Sequence, residues 1–422
     1  MSDDLLAGLD SVPWERYRHA YVQAVDTPTH LGALLSEDAQ EREQANYNLA
    51  ISIAHQGTLY EATSYAVPFL IAIVDAPASQ DKGQILATLA VIAEGTFHNR
   101  YISEQQRFLT ELDTPEARRE VETKRGWVRR AHAAVRAGRE VYLRLLSDPD
   151  PQTRQEVLGV LVAAFGDNGA GITPTIRQRI ASEDDPAQRA RLARALAEFV
   201  PVDDPTQALL TQVWHADVDA FVQLAAAVAL AHGLGEQAPA HVEDTLTHML
   251  VSPEPNIEKR FREIRSNYDI DDTDLALGLN AMGARGVTTA LPPLLDALAT
   301  RCAAMTVETL PEGHIGVSHK PFIADDGTRQ WRDVKGRSIY PRTMELRLTE
   351  TVLLLTFGRR RRKHSTTPTI LTPAQRRALS AIASYDVLWH FDATMDDLLA
   401  DRDLPYAREG LRAYLLRVGS PP

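Results

Sequence analysis

The densest set of side chains able to do chemistry in this sequence is basic. Residues 114–146 hold nine cations, Arg118, Arg119, Lys124, Arg125, Arg129, Arg130, Arg136, Arg139 and Arg144, against four anions, Glu116, Glu120, Glu122 and Glu140. The stretch is therefore net positive inside a chain of formal charge −12. Arg125, Trp127, Arg129 and Arg130 join planar guanidiniums to a flat indole, a set suited to phosphates or acidic peptides. The alternative expectation is a solvated helix face paired with the acids of neighbouring elements. A second basic run, 359–363, leads into Ser, Thr and Pro and fits a charged linker better than a nucleic-acid patch.

Histidine and cysteine offer less. His19, His30, His55 and His98 fall in the first third of the chain, where stacked helix ends could bring His55 near His98. There is no His-Glu-x-x-His pair, and His314 and His319 lack a carboxylate at ligand spacing, so no metal and no cofactor are expected. Cys302 is the one cysteine, which rules out an intrachain disulfide, and its apolar helical setting predicts a buried, inert thiol. Neither a Gly-x-Ser-x-Gly elbow nor a glycine-rich phosphate loop occurs, so no catalytic residue is assigned. The turn His55-Gln56-Gly57-Thr58-Leu59-Tyr60 is a binding candidate. Gly57 permits a positive φ and Thr58 can cap the following helix, which leaves His55, Gln56 and Tyr60 free at a rim where a partner could dock.

The elements that must position these residues follow from composition and period. The chain has 422 residues, 44% hydrophobic and 6% aromatic, with alanine and leucine throughout, a mix that favours helix. No apolar run approaches the roughly 20 residues of a membrane helix. The first ten residues do not resemble a secretory signal, so a reducing cytoplasm is the expected location. The negative net charge repels polyanions, which makes nucleic acid an unexpected partner.

One phrase recurs: aliphatics, an acidic dip, an arginine, then an Ala/Leu helix. It runs through Asp38 and Arg42, Asp150 and Arg154, and Asp185 and Arg189, with a weaker copy near Asp217 and a degraded one at residues 78–82. Asp150 and Asp185 suit the N-cap, and Pro151 and Pro186 the first helical position. Leu158, Val162 and Phe165, like Leu192, Leu196 and Phe199, then form single apolar stripes. A stripe cannot bury itself, so neighbouring units must stack. A partner-helix phrase appears at Ala66-Val67-Pro68 and Ala290-Leu291-Pro292-Pro293.

Together these phrases resemble HEAT repeats, paired helices that stack into a right-handed α-solenoid. In that family an acid six positions before the arginine forms a ladder between repeats; Asp148 with Arg154 and Glu183 with Arg189 fit, while Ser36 before Arg42 departs from it. The block around Trp14, Tyr17, His19, Tyr21 and Asp26, with the Trp389 tail, is similar to bacterial HEAT-repeat proteins to which no activity is attached. The resemblance implies an all-α fold with a solenoid over residues 1–306 and a Pro/Gly-rich insertion over 307–341, suited to a β-hairpin. A C-terminal helical cap would cover 342–422, including a basic linker at 359–369. Residues 114–146 read as one long helix and 253–274 as an exposed insertion. The implied function is a non-catalytic scaffold or adaptor that binds another protein on a concave surface, as an immunity or regulatory factor. The alternative is an alkylpurine DNA glycosylase of HEAT-like fold, using Arg125, Trp127, Arg129, Trp214 and Asp217 on duplex DNA. Oligomeric state is left open.

Overall fold

The recurring phrase builds helix starts. The computed structural model describes residues 5–96, 114–262, 272–305, 314–323, 329–338, 343–358 and 368–418. In it α1 spans Thr27–Ala33, α2 Ala39–Ile53, α3 Thr63–Asp75, α4 Lys82–Glu94 and α5 Pro115–Ala137. Next come α6 Arg139–Leu145, α7 Pro151–Phe165, α8 Thr173–Ser182, α9 Pro186–Leu196 and α10 Asp204–Ala216. Asp38, Asp150 and Asp185 cap α2, α7 and α9, accepting from the amides of Gln40 at 2.9 Å, Gln152 at 3.3 Å and Ala187 at 2.9 Å. Each capping residue is itself held by the side chain two positions earlier. Its amide donates to Ser36 Oγ at 3.1 Å, Asp148 Oδ1 at 3.0 Å or Glu183 Oε1 at 3.2 Å. The arginine four residues past the cap folds back on the same turn. Arg42 donates to the carbonyls of Ser36 and Glu37, Arg154 to Asp148 and Pro149, and Arg189 to Glu183 and Asp184.

Arg42 and Arg154, with Lys82 of the degraded copy, also tie one repeat to the next. Arg42 Nε lies 2.6 Å from Asp81 Oδ2, Lys82 Nζ 3.1 Å from Asp148 Oδ2, and Arg154 Nε 3.5 Å from Glu183 Oε2. Ser36 therefore does not break the ladder, because the rung uses the acid of the following repeat.

The fourth copy sits two residues later than its sequence spacing suggests. Asp219, not Asp217, caps α11 (Ala220–Leu234), accepting from Phe221 at 2.8 Å and Val222 at 3.3 Å. Asp217 plays the supporting part, taking the amide of Asp219 at 3.0 Å, and Gln223 stands where the arginine would, donating to the Asp217 carbonyl at 2.7 Å. The step from Asp185 to Asp219 is 34 residues, close to the 35 between Asp150 and Asp185.

Two compact units result, Met1–Thr206 and Gln207–Pro422. In the first, α2 packs on α4, α4 on α7 and α7 on α9, while α1 packs on α3 and α3 on α5. Leu49, Ile53, Leu70, Leu86, Leu89, Val157 and Leu161 are fully buried between these rows. Each such side chain stabilises the stack by about 1.5–3 kcal/mol. The expected single helix over 114–146 is instead two, α5 and α6, parted at Gly138. A Cβ there would come within 2.7 Å of the Tyr142 ring and 2.9 Å of Ile71 Cδ1. The close approach of those two side chains is what glycine permits.

In the second unit α11 is followed by α12 (Val242–Val251), α13 (Pro255–Arg262), α14 (Asp272–Ala281) and α15 (Gly283–Ala304). After them come α16 (Met344–Phe357), α17 (Pro373–Ser384), α18 (Asp392–Ala400) and α19 (Arg408–Arg417). Between α15 and α16, β1 (His314–Ile323) and β2 (Arg329–Ser338) pair antiparallel, His314 opposite Ser338, and β2 packs on α18. A capping box starts α17: Thr372 Oγ1 accepts from Gln375 N at 3.2 Å, and Gln375 Oε1 from Thr372 N at 3.0 Å. The stretch read as an exposed insertion is partly helix. Ile257 of α13 is buried, and Arg260 reaches Asp219 at 3.1 Å while lying 4.7 Å over the Phe221 ring. The amphipathic pattern of α13 was masked in sequence by its flanking prolines. Asp269, Asp271, His98 and the run 359–363 lie outside the described residues.

Candidate binding surfaces

Residues 17–25 form no helix, yet every turn of the backbone there is bonded. Arg18 and Gln23 make an antiparallel bridge, the His19 amide donates to Val22 O at 3.0 Å, and the Ala24 amide to Tyr17 O at 2.9 Å. The His19 imidazole is buried inside this bend. Its Nδ1 accepts from the amides of Tyr21 at 3.2 Å and Val22 at 3.4 Å, and its Nε2 lies 2.9 Å from Asp26 Oδ1. A nitrogen that accepts carries no proton, so the proton sits on Nε2 and is donated to Asp26. Two further bonds fasten the bend to the first repeat: Ala20 N to Ser52 O at 2.9 Å and Ala62 N to Arg18 O at 3.1 Å.

The bend presents three adjacent apolar side chains to solvent. Tyr21, Val22 and Val25 are 56%, 53% and 60% exposed. The Tyr21 ring stands edge-on to His19 and His55, and its hydroxyl is 3.4 Å from His55 Nδ1. Sequence reasoning missed these three; the available signal was an aromatic–aliphatic pair in a segment without helical period.

The three rim residues picked from sequence adjoin this bend but do not hang free. His55 meets Tyr21, and Gln56 is exposed but engaged. Tyr60 is half-buried, and burial, helped by nearby Tyr21, pushes its hydroxyl above the ordinary tyrosine range. Gly57 does take a positive φ of 80°, and Gln56 takes one of 50°. Thr58 does not cap the next helix. It bridges to Thr96, and Thr63 does the local bonding instead, its Oγ1 accepting from Tyr60 N at 3.0 Å and donating to Ile53 O at 2.5 Å. Distance along the chain explains this: α3 begins five residues after Thr58.

The basic stretch divides at the point where α5 meets the rest of the unit. Ala131 and Val135 are fully buried, and cations beyond them join elements. Arg136 donates to Ala164 O at 2.6 Å and pairs with Asp167, Arg139 donates to Gly171 O at 2.8 Å, and Arg144 meets Asp75 at 2.6 Å. Ahead of Ala131, Arg118, Arg125, Arg129 and Arg130 are exposed and Trp127 is half-buried. Three ion pairs there lie within the helix: Arg119 with Glu116 at 2.6 Å, Lys124 with Glu120 at 2.7 Å, and Arg129 with Glu122 at 2.8 Å.

The other chemical candidates are taken up by packing. Trp214 is 9% exposed and stacked on His215, and Asp217 serves the turn described above, so neither presents a free group for a DNA substrate. Burial pushes the Cys302 thiol up to about 12, with Glu345 adding to the shift. A thiol so protonated at neutral pH is a poor nucleophile. Among the described residues, no group of three His, Cys, Asp or Glu is placed to hold a metal ion. No described helix is long and apolar enough to cross a membrane.

Stacked helical hairpins with capped starts and inter-repeat ion pairs define a helical repeat scaffold of the all-α solenoid class. Residues 139–231 match the family of HEAT repeats, so that stretch of the stack is built of HEAT repeats. Among solved structures, the crystal structure of an engineered protein aligns over 93% of this chain and 87% of its own, at 16% identity and a TM-score of 0.28. That likeness is too loose to bear on the fold. No curated protein matches the chain.

Proposed function

We propose that this chain is a non-catalytic scaffold that binds another protein, with the rim formed by Tyr21, Val22, Val25, His55, Gln56 and Tyr60 as a main contact. One observation carries the reading: the exposed apolar tip is immobilised by a buried histidine whose two ring nitrogens are both spent on holding it. Apolar side chains left in water favour association, and holding them in one geometry beforehand lowers the entropy cost of docking. Tyrosine is also among the residues that dominate interface energy. The long surface of a repeat stack, including any concave face, supplies the weaker surrounding contacts. A single partner held stoichiometrically is what an immunity or regulatory factor requires.

The test is capture from native lysate at physiological salt with the wild-type chain and with Tyr21→Arg. The reading expects a protein recovered in fixed ratio by the wild type and lost with the variant. Recovery of nothing, or the same recovery with both, contradicts it.

A further inference from the structure

The first four turns of α5 have a chemistry distinct from the rim. Residues 115–130 hold six cations, Arg118, Arg119, Lys124, Arg125, Arg129 and Arg130, against three anions, Glu116, Glu120 and Glu122. Whatever pairs form within the helix, three positive charges exceed the glutamates it carries. Spacing then concentrates them. Arg118, Glu122, Arg125 and Arg129 follow i, i+4, i+7, i+11 and share one face, with Arg130 and Arg119 along its edge. From Arg118 to Arg129 this face runs about 16 Å. All four column residues are exposed. The pairs they make on the helix are solvent-exposed, so exchanging Glu122 for another carboxylate costs little.

We propose that this outer face of α5 is a docking surface for an acidic segment of a partner protein. Charge complementarity selects the occupant: a locally positive face on a chain of net charge −12 attracts a compact run of carboxylates. Guanidiniums in a column donate bidentately to carboxylates along a helix or a short extended run. Duplex nucleic acid fits less well, because the chain's negative field and the interleaved glutamates repel a continuous phosphate backbone. Trp127, half-buried, follows Arg118 by nine positions and so falls on the opposite side of the helix from the column. The inference rests on the protein-binding reading and names the chemistry of a second contact, separate from the rim.

The experiment uses the full-length chain and a fluorescein-labelled peptide of about 16 residues, mostly Glu and Asp, followed by anisotropy at about 50 mM and about 300 mM salt. Saturable binding that weakens with salt is expected. Arg125→Glu with Arg129→Glu should weaken it about tenfold or more, and Arg125→Gln with Arg129→Gln by a smaller factor. Arg412→Glu with Arg417→Glu, exposed cations on α19, changes net charge equally and should leave binding within about twofold. Circular dichroism of each variant reports whether the helices persist, and the glutamine pair retains the test should the glutamate pair fray α5. Absence of peptide binding overturns the proposal, as does an equal loss in the α19 control. Competition by duplex DNA at lower concentration than unlabelled peptide overturns the choice of partner. The titration needs no lysate partner, so its failure leaves the Tyr21 capture result standing, and failure of capture does not alter the titration.

Discussion

Asp150 shows how much a single residue of the repeat phrase carries. Burial raises the affinity of its carboxyl for a proton, but hydrogen bonds from the Thr153 side chain and amide and from Gln152, with the charge of Arg154, outweigh it. The group titrates below the ordinary aspartate range. A depressed folded-state value means its stabilisation is present above the unfolded value, near 3.9, and lost as pH falls through the folded one. Asp150→Ala should cost about 1 kcal/mol at pH 7. That gap should narrow below about pH 4 in urea titrations run at stepped pH. A gap unchanged down to the acid limit would mean that charge is not what the cap contributes. His19 belongs to the same scale. His19→Leu removes the acceptor for two amides, so the amides of Tyr21 and Val22 should exchange hydrogen faster in the variant, by NMR or mass spectrometry. Unchanged exchange there would show that the bend is held by its backbone bonds alone.

Between elements, the rungs and the glycine contacts decide how closely helices approach. Arg154→Met and Glu183→Gln should each destabilise, and a double-mutant cycle should give a coupling of about 1 kcal/mol across the two repeats. Zero coupling would place the ladder among pairs that form without contributing. Gly138→Ala should cost about 1–3 kcal/mol by crowding Tyr142 and Ile71, whereas Gly32→Ala, with nothing within 4 Å, should be neutral or stabilise by up to about 1 kcal/mol. Thermal melts of the two variants make the comparison. The same contrast explains what sequence could reveal. Caps such as Asp150–Pro151 and the Thr372–Gln375 box are local, and both were legible from residue type and spacing. The break at Gly138 was not, because its cause includes Ile71, far away in the chain and adjacent only once α3 and α5 pack. The register of the fourth repeat misled for a related reason: with glutamine in the arginine's place, Asp217 and Asp219 were indistinguishable until their hydrogen bonds were seen.

For the molecule as a whole, architecture was written in the repeat and function was not. The repeat period depends on a phrase that tolerates Ser for Asp and Gln for Arg, so it survives degradation. The rim depends on His19 meeting two backbone amides, a partnership that no side-chain pattern announces. The basic stretch was legible as a charge excess, but its division into an exposed outer face and an inner set of structural cations required knowing that Ala131 and Val135 are buried. On the proposed function, the repeats serve as a frame for the bend at 17–25 and the outer half of α5, and a protein partner is bound there. The most direct test is hydrogen exchange by mass spectrometry on the full chain, free and in complex with the captured partner. Slowed exchange is expected in residues 17–25, 55–60 and 115–130, with the rest of α5 unchanged. Protection confined to other segments, such as α17 and α19, or none anywhere, would contradict it.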